Sequence, residues 1–366
     1  MRKSITGLTA AAAVTALLAA VSHADAAGLP AAAAAGDWSV AQTNTLAGED
    51  GIKQITVAPT GSTWAAGYQA SGGKSVPLVQ HLLSGKWTTV KSPSSTLGEV
   101  SALSASSSKS VWAFGTTDPG TFAARWNGTA WTRSTMSTGH YFIQDASALS
   151  ASNVWAVGGD QTKNSFHWTG KAWKKVALPA PARAIAGVST NHVYAAGTYK
   201  SQPAVMHWTG TAWKLAATPK LKLPNADAVG VLNDIYAPSL GDVWAAGGWD
   251  WSCGEDGDDV CNQPFLLHWN GKAWSSTTFD QGYGAFSKVT GDGSGGLWLL
   301  RGGWNPQLVH ISGESVTSVA APRPSGHDIS ITALALQAST VWAGGVAFPE
   351  GDPDDPTGNG LYLRTG

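Results

Sequence analysis

Seven times along its length the chain returns to an aromatic set in a V-W-A-x-G core, and a period of that kind leaves few folds open. The core reads STWAAG at 62–67, SVWAFG at 110–115, NVWAVG at 153–158, HVYAAG at 192–197, DVWAAG at 242–247, GLWLLR at 296–301 and TVWAGG at 340–345. The anchoring aromatics are Trp64, Trp112, Trp155, Tyr194, Trp244, Trp298 and Trp342, spaced 39 to 54 residues apart. Self-similarity at such a period marks a supersecondary unit that cannot bury its apolar face alone.

Each unit has four segments. An alternating stretch such as EVSALSA precedes the anchor (strand A), and the anchor follows (strand B). After a variable loop comes a strand ending in HWxG (strand C), and a two-residue gap then leads to a second Trp (strand D), as in SFHWTGKAWKKV. Short β-branched and aromatic strands, with Gly at the tight C–D turn, predict antiparallel hairpins. Four such strands per unit predict a propeller blade.

The seventh unit stops at Gly366, where its strand D is due. The missing piece lies at the other end, because Gly36-Asp37-Trp38-Ser39-Val40 reads like a turn followed by strand D. The expected fold is therefore all-β, a single seven-bladed propeller over 37–366, closed three-plus-one by a strand at 37–43. A closed ring leaves no strand edge to pair with other chains, and a monomer is expected.

The VWAVG and HWNGxxW motifs resemble those of secreted β-propellers common in actinobacteria, and the resemblance covers the whole mature chain. It implies the fold and no particular activity. The C–D turn also resembles the Asp-box of bacterial neuraminidases, S-x-D-x-G-x-x-W. Gly128 and Trp131 keep the final G-x-x-W, while Ala124 and Trp126 stand at the Ser and Asp places, so the resemblance implies the hairpin geometry.

The N-terminus reads as a secretory signal over 1–26: Arg2 and Lys3, then an apolar Ala-rich run, then Ala24-Asp25-Ala26 as a cleavage site. Residues 27–36 are a low-complexity lead-in. A formal charge of -1 with 13% charged residues gives no electrostatic footprint for nucleic acid or an acidic membrane. No other segment is long and apolar enough to span a bilayer. In an exported chain, Cys253 and Cys261 are expected to form a local disulfide.

Of 19 Trp, 16 occupy repeat slots and read as scaffold. The recurring His81, His167, His207, His268 and His310 read as a hydrogen-bonding structural position, since metal ligands must converge on one point. Trp249, Trp251 and Trp304 fall outside the repeat just beyond strand B, and Tyr68 and Tyr199 sit at corresponding places. B–C and D–A loops emerge on one face, so these rings either rim it, ready to stack on a sugar or a peptide side chain, or pack beneath a long loop.

Acidity gathers on the same face: nine of the 24 carboxylates lie in the blade 5 loop (Asp250, Glu255, Asp256, Asp258, Asp259) and the blade 7 loop (Glu350, Asp352, Asp354, Asp355). Asp250, Asp256, Asp258 and Asp259 form a candidate Ca²⁺ site, with a solvated acidic loop as the other reading. His140 and His327, in D–A loops, are the candidate catalytic bases. The expected function is a secreted module presenting aromatic and acidic loops to an extracellular glycan or protein, without catalysis. The alternative is an extracellular hydrolase or lyase acting on polysaccharide from the same face, with Asp250 or Glu255 near His327.

Overall fold

The structure, a computed structural model, describes residues 38–94, 98–117, 120–134, 136, 142–159, 162–254, 259–281, 284–302, 305–351 and 358–366. The compact unit 35–366 holds seven four-stranded antiparallel sheets. In six of them the strands run A–B–C–D in chain order. In the seventh, strands His327–Gln337, Thr340–Pro349 and Asn359–Thr365 are completed by Trp38–Thr43. The fold is the expected seven-bladed propeller, and its closure is the expected three-plus-one.

The closing strand pairs Trp38 with Thr365 and Val40 with Leu363, slips at a bulge, and resumes with Gln42 opposite Tyr362. Trp38 sets its ring edge-on against Trp298 of blade 6, with centroids 5.2 Å apart. Gln42 then reaches across to blade 1, where its side-chain amide donates to the Trp87 carbonyl at 3.1 Å and accepts from the Trp87 N–H at 3.0 Å. Beneath it Asn44 and Gln80 exchange amide hydrogen bonds at 3.2 Å, and Tyr362 donates to Gln80 Oε1 at 2.5 Å. One short strand thus joins blades 6, 7 and 1.

Six of the seven anchors are buried and Trp244 is partly buried, and strand C explains their periodic histidines. His81, His167, His207, His268 and His310 each face the anchor across the ladder and stack on it, from 3.6 Å between centroids at Trp244–His268 to 4.6 Å at Tyr194–His207. Each Nε2 also meets a group at the A–B corner, Ser62, Asn153, His192, Asp242 or Asp292, at 2.8 to 3.0 Å. Arg125 and Arg364 hold the same ladder position in blades 2 and 7. These histidines are structural.

The Gly that ends the repeat has an equally local cause. Strand A bulges at Lys53, Ser101, Arg183, Asn233, Ser287 and Thr332, where the pairing register with strand B slips by one. The bulge aims these side chains out of the ladder, in most blades toward the next blade, while Ser287 donates to Leu300 O of its own blade. Ser101 donates to Ile143 O at 2.6 Å, Asn233 to Phe286 O at 2.9 Å and Thr332 to Ile52 O at 2.6 Å. Opposite the bulge the backbones approach so closely that a Cβ on Gly67, Gly115, Gly247 or Gly345 would lie 1.9 Å from a strand A carbonyl oxygen. In blade 6 Arg301 takes this place, and its side chain turns away to donate to the carbonyls of Gly284 and Asp280.

Removing residues 38–43 exposes the edge of strand Asn359–Thr365 and is expected to abolish the folded monomer, while removing 1–36 leaves the melting temperature unchanged. Trp38→Ala is expected to cost about 3 kcal/mol. Gel filtration and thermal unfolding measure these, and a folded monomer lacking 38–43 would refute the closure.

Candidate functional site

Of the two readings of the tryptophans outside the repeat, Trp249 and Trp251 take the packed one. Strand B of blade 5 runs well beyond its repeat core, over Asp242–Cys253, so Trp249 and Trp251 lie in regular ladder, opposite Gln263 and Cys261. They are 1% and 8% exposed and pack into the core between blades 4 and 5, with Trp249 edge-on to Phe265 at 5.7 Å. Their parity is that of Val243 and Ala245, which makes the inward face continuous along the extended strand. Neither ring is available to stack on a ligand. Cys253 and Cys261 form the expected disulfide and pin the end of this hairpin.

Tyr68 and Tyr199 are half-buried on the B–C/D–A face. The Lys53 ammonium lies 5.7 Å from the centre of the Tyr68 ring, and the Lys200 ammonium 5.2 Å from that of Tyr199. Burial, helped by the charges of Glu49, Asp50 and Glu99, pushes the Tyr68 hydroxyl up. Asp250 accepts from Asn262 Nδ2 within its own hairpin, and His327 Nδ1 meets the Ser325 carbonyl at 2.8 Å. The structure does not join these two groups into an acid/base pair. Asp259 begins strand C of blade 5 and is exposed. Trp304, His140, Glu255, Asp256, Asp258, Asp352, Asp354 and Asp355 lie outside the described residues. Among the described residues no three His, Cys, Asp or Glu side chains gather to hold a metal.

What the B–C/D–A face does carry is a set of clefts. One of about 470 Å³ lies between blades 2 and 3, bounded by Glu99, Thr116, Gln144, Gly159 and the half-exposed Phe142. A second, about 530 Å³, spans blades 3 to 5 and includes Lys163, Arg183, Tyr199 and Lys200. A third, about 470 Å³, joins blades 1 and 7 at Glu49, Gly72 and Asn359. All three are lined by B–C and D–A segments together with the starts of strands A.

At the centre, the innermost strands of all seven blades enclose a channel cavity of about 350 Å³. Two residues before the one that faces the anchor, strand A carries Gln54, Ala102, Asp145, Ala184, Asp234, Lys288 and Ala333 in blades 1 to 7. Three of these are ionisable and line the same cavity. Asp145 accepts from Ile185 N of the next blade at 2.7 Å and from Ala146 N at 2.8 Å. Asp234 accepts from Val289 N of blade 6 at 2.9 Å. Ser104 and Ser147 reach the next blade in the same way, accepting from Ala148 N and Gly187 N. The acids therefore clip neighbouring blades while facing the void. Loss of hydration pushes the Asp145 carboxyl up to about 7, against the pull of Lys288 and with the push of Asp234. Burial raises Asp234 too.

The fold and these sites define a seven-bladed β-propeller with a polar channel and one clefted face. No family model matches the chain, and no curated protein sequence matches it. Solved structures do. A structure described as YCF48 bound to D1 peptide has a TM-score of 0.57 at 13% identity, covering 92% of this chain and 98% of its own. A catalytically inactive virginiamycin B lyase from Staphylococcus aureus, solved with quinupristin, gives 0.61 at 14%, with 90% and 99% covered. The WD40 β-propeller domain of Doa1 gives 0.55 at 11%, with 90% and 97% covered. The likeness is one of fold. No helix among the described residues is long and apolar enough to cross a membrane.

A carboxyl held up to about 7 in the folded chain, against an ordinary value of 3.8, favours folding while it is protonated. Its contribution is complete below the ordinary value and is lost as pH rises through about 7. Thermal unfolding across that window is expected to show a downward slope that Asp145→Asn reduces. Superimposable pH profiles for the two proteins would remove Asp145 from the account.

Proposed function

We propose that the chain is an exported binding scaffold that takes a segment of another protein across its B–C/D–A face. The observation that carries this reading is the placement of three clefts at blade junctions, all opening on that one face. Adjacent clefts around a ring suit a chain that spans several blades and places side chains at intervals. The opposite face is made of tight turns, with left-handed Gly128, Gly170, Gly210 and Gly271 at four C–D corners, and offers relief of a different, repetitive kind. Burial of Trp249 and Trp251 withdraws two of the five rings expected to stack on a sugar. The similarly folded YCF48 is solved with a bound peptide, and the same frame supports that mode of use. Export is supported by the signal-like N-terminus and agrees with the Cys253–Cys261 disulfide.

The test is selection from a displayed random-peptide library, followed by hydrogen-exchange mapping. Enriched peptides are expected to protect the amides of 98–101, 114–117 and 197–203, and to lose affinity roughly tenfold, about 1.4 kcal/mol, on Phe142→Ser or Tyr199→Ala. Protection confined to the C–D turns would contradict the reading.

A further inference from the structure

We infer that the outer edge of strand C in blade 5, at Val260 and Asn262, is a strand-addition site for a basic extended segment of a protein partner, an assignment that rests on the face reading above. Among the described residues blade 5 has the longest B–C ladder of the ring. Strand B over Asp242–Cys253 and strand C over Asp259–Trp269 pair from Val243–Trp269 to Cys253–Asp259 without a slip. Strand D is much shorter, Trp274–Thr278, and its pairing reaches only to Phe265. Strand C therefore runs on toward the B–C/D–A face past its outer neighbour.

The register fixes which backbone groups face outward there. Pro264 O accepts from Phe279 N at 2.9 Å, and Asn270 N donates to Ala273 O at 3.3 Å, so the even-numbered residues of strand C turn their N–H and C=O away from strand B. Beyond Phe279 the chain turns to blade 6, where Arg301 donates to Asp280 O at 3.1 Å. Val260 and Asn262 are the next even-numbered residues along the edge. Among the described residues no group meets their outward N–H and C=O. The Val260 side chain is 70% exposed.

The corresponding edges of other blades are closed. In blade 1 Gly98 N donates to Ser75 O at 2.9 Å and Ser92 Oγ to Pro77 O at 2.9 Å. In blade 3 Leu178 N covers Lys163 O at 2.8 Å, and in blade 6 Ala321 N covers Pro306 O at 3.1 Å. In blade 4 Val205 O accepts from Ala216 N at 2.8 Å, and the next outward position is Pro203, which has no N–H. A bare edge templates pairing with another strand, and covering segments and prolines blunt it. Blade 5 leaves two residues bare and stiffens them. Trp249 and Trp251 are buried on the inner side of the hairpin, and the Cys253–Cys261 disulfide ties its end. An edge already held extended costs a partner less ordering to engage.

The edge selects a polypeptide. Its N–H and C=O pairs repeat every two strand residues, roughly 6.8 Å, and an extended peptide backbone returns acceptors and donors at that interval. Charge selects the side chains. Residues 248–263 hold five Asp and Glu and neither Lys nor Arg. Of these, Asp250 lies opposite Asn262 and accepts from its side chain on one side of the hairpin, and Asp259 begins strand C on the other parity. Both are exposed. A Lys or Arg on either side of an added strand is therefore near a carboxylate.

A fluorescein-labelled peptide of alternating Lys and Val is expected to bind the mature chain, to protect the Val260 and Asn262 amides from hydrogen exchange, and to weaken as salt rises. A peptide of alternating Glu and Val is expected not to bind. The fully N-methylated Lys–Val peptide keeps its charge and loses every N–H, so it is expected to bind roughly tenfold more weakly. Val260→Pro removes an outward N–H and leaves the ladder to strand B intact, so it is expected to keep the melting temperature and weaken the unmethylated peptide by a similar factor. Affinity retained within about twofold on N-methylation or by Val260→Pro, or equal binding of the Glu–Val peptide, overturns the edge assignment. Library peptides that protect 98–101, 114–117 and 197–203 while the Val260 and Asn262 amides exchange freely overturn it too, and leave the face reading standing. No peptide binding anywhere on the face overturns both.

Discussion

The ring depends on the pairing of Trp38–Thr43 with Asn359–Thr365. A propeller blade buries both of its broad faces against neighbours, and a row of seven would leave two such faces in water. Closure removes both, and it also covers the strand edge that would otherwise template aggregation. The seam has the polar detail expected where two distant parts of a chain must meet in one register. Gln42 imitates a ladder partner for the Trp87 backbone, and the Asn44–Gln80 amide pair with Tyr362 leaves little freedom for a slip. Asp50, fully buried in the same network, has one carboxylate oxygen without a partner, and burial raises its carboxyl. Loss of hydration disfavours the charged form there, while hydrogen bonds from Asn44 and the Gly360 N–H favour it.

Closure fixes what the rest of the repeat must do. Seven blades meeting at fixed angles bring strand A of each against strand A of the next, and the bulge supplies the side chain that ties them. The Gly opposite the bulge is then obligatory in most blades, because the two backbones have no room for a Cβ. The Trp–His stack works at the other end of the blade, where it fills the space above the A–B corner and satisfies the imidazole. These two devices lie on either side of the anchor, so the V-W-A-x-G core records both in five residues. Variation is pushed into the B–C and D–A segments, which is where the clefts lie.

That division explains how much of the molecule was legible in its sequence. Blade number, strand order and closing strand follow from a register that the anchors and the HWxG turns state openly. The local disulfide follows from spacing and compartment. Trp249 and Trp251 were harder, because they stand beyond the repeat core and look like loop residues. Their period-two spacing with Val243, Ala245 and Gly247 is the sign that strand B continues, and it places both rings inward. The channel acids were hidden for another reason. In a single strand, Asp145, Asp234 and Lys288 occupy alternating polar positions that read as solvent-facing. Only when seven innermost strands close does that side come to line a shared channel. Cavities at blade junctions are likewise invisible to sequence, since each is assembled from two or three repeats.

The channel and the face invite different uses, and the hydrogen bonds decide between them. Asp145 and Asp234 are engaged by backbone N–H groups of the next blade, and Lys288 shares their void. A ligand drawing on those carboxylates would have to compete with contacts that hold blades 3 to 4 and 5 to 6 together, so occupancy there would loosen the ring. The clefts also hold contacts between blades, such as Ser101 to Ile143 O and Thr198 to Gly230 O, but Phe142 is half-exposed and the Lys200 side chain is exposed beside them. A closed ring therefore leaves exposed side chains on the face for the recognition proposed above, while the channel carboxylates, engaged between blades, bear on how stability responds to pH.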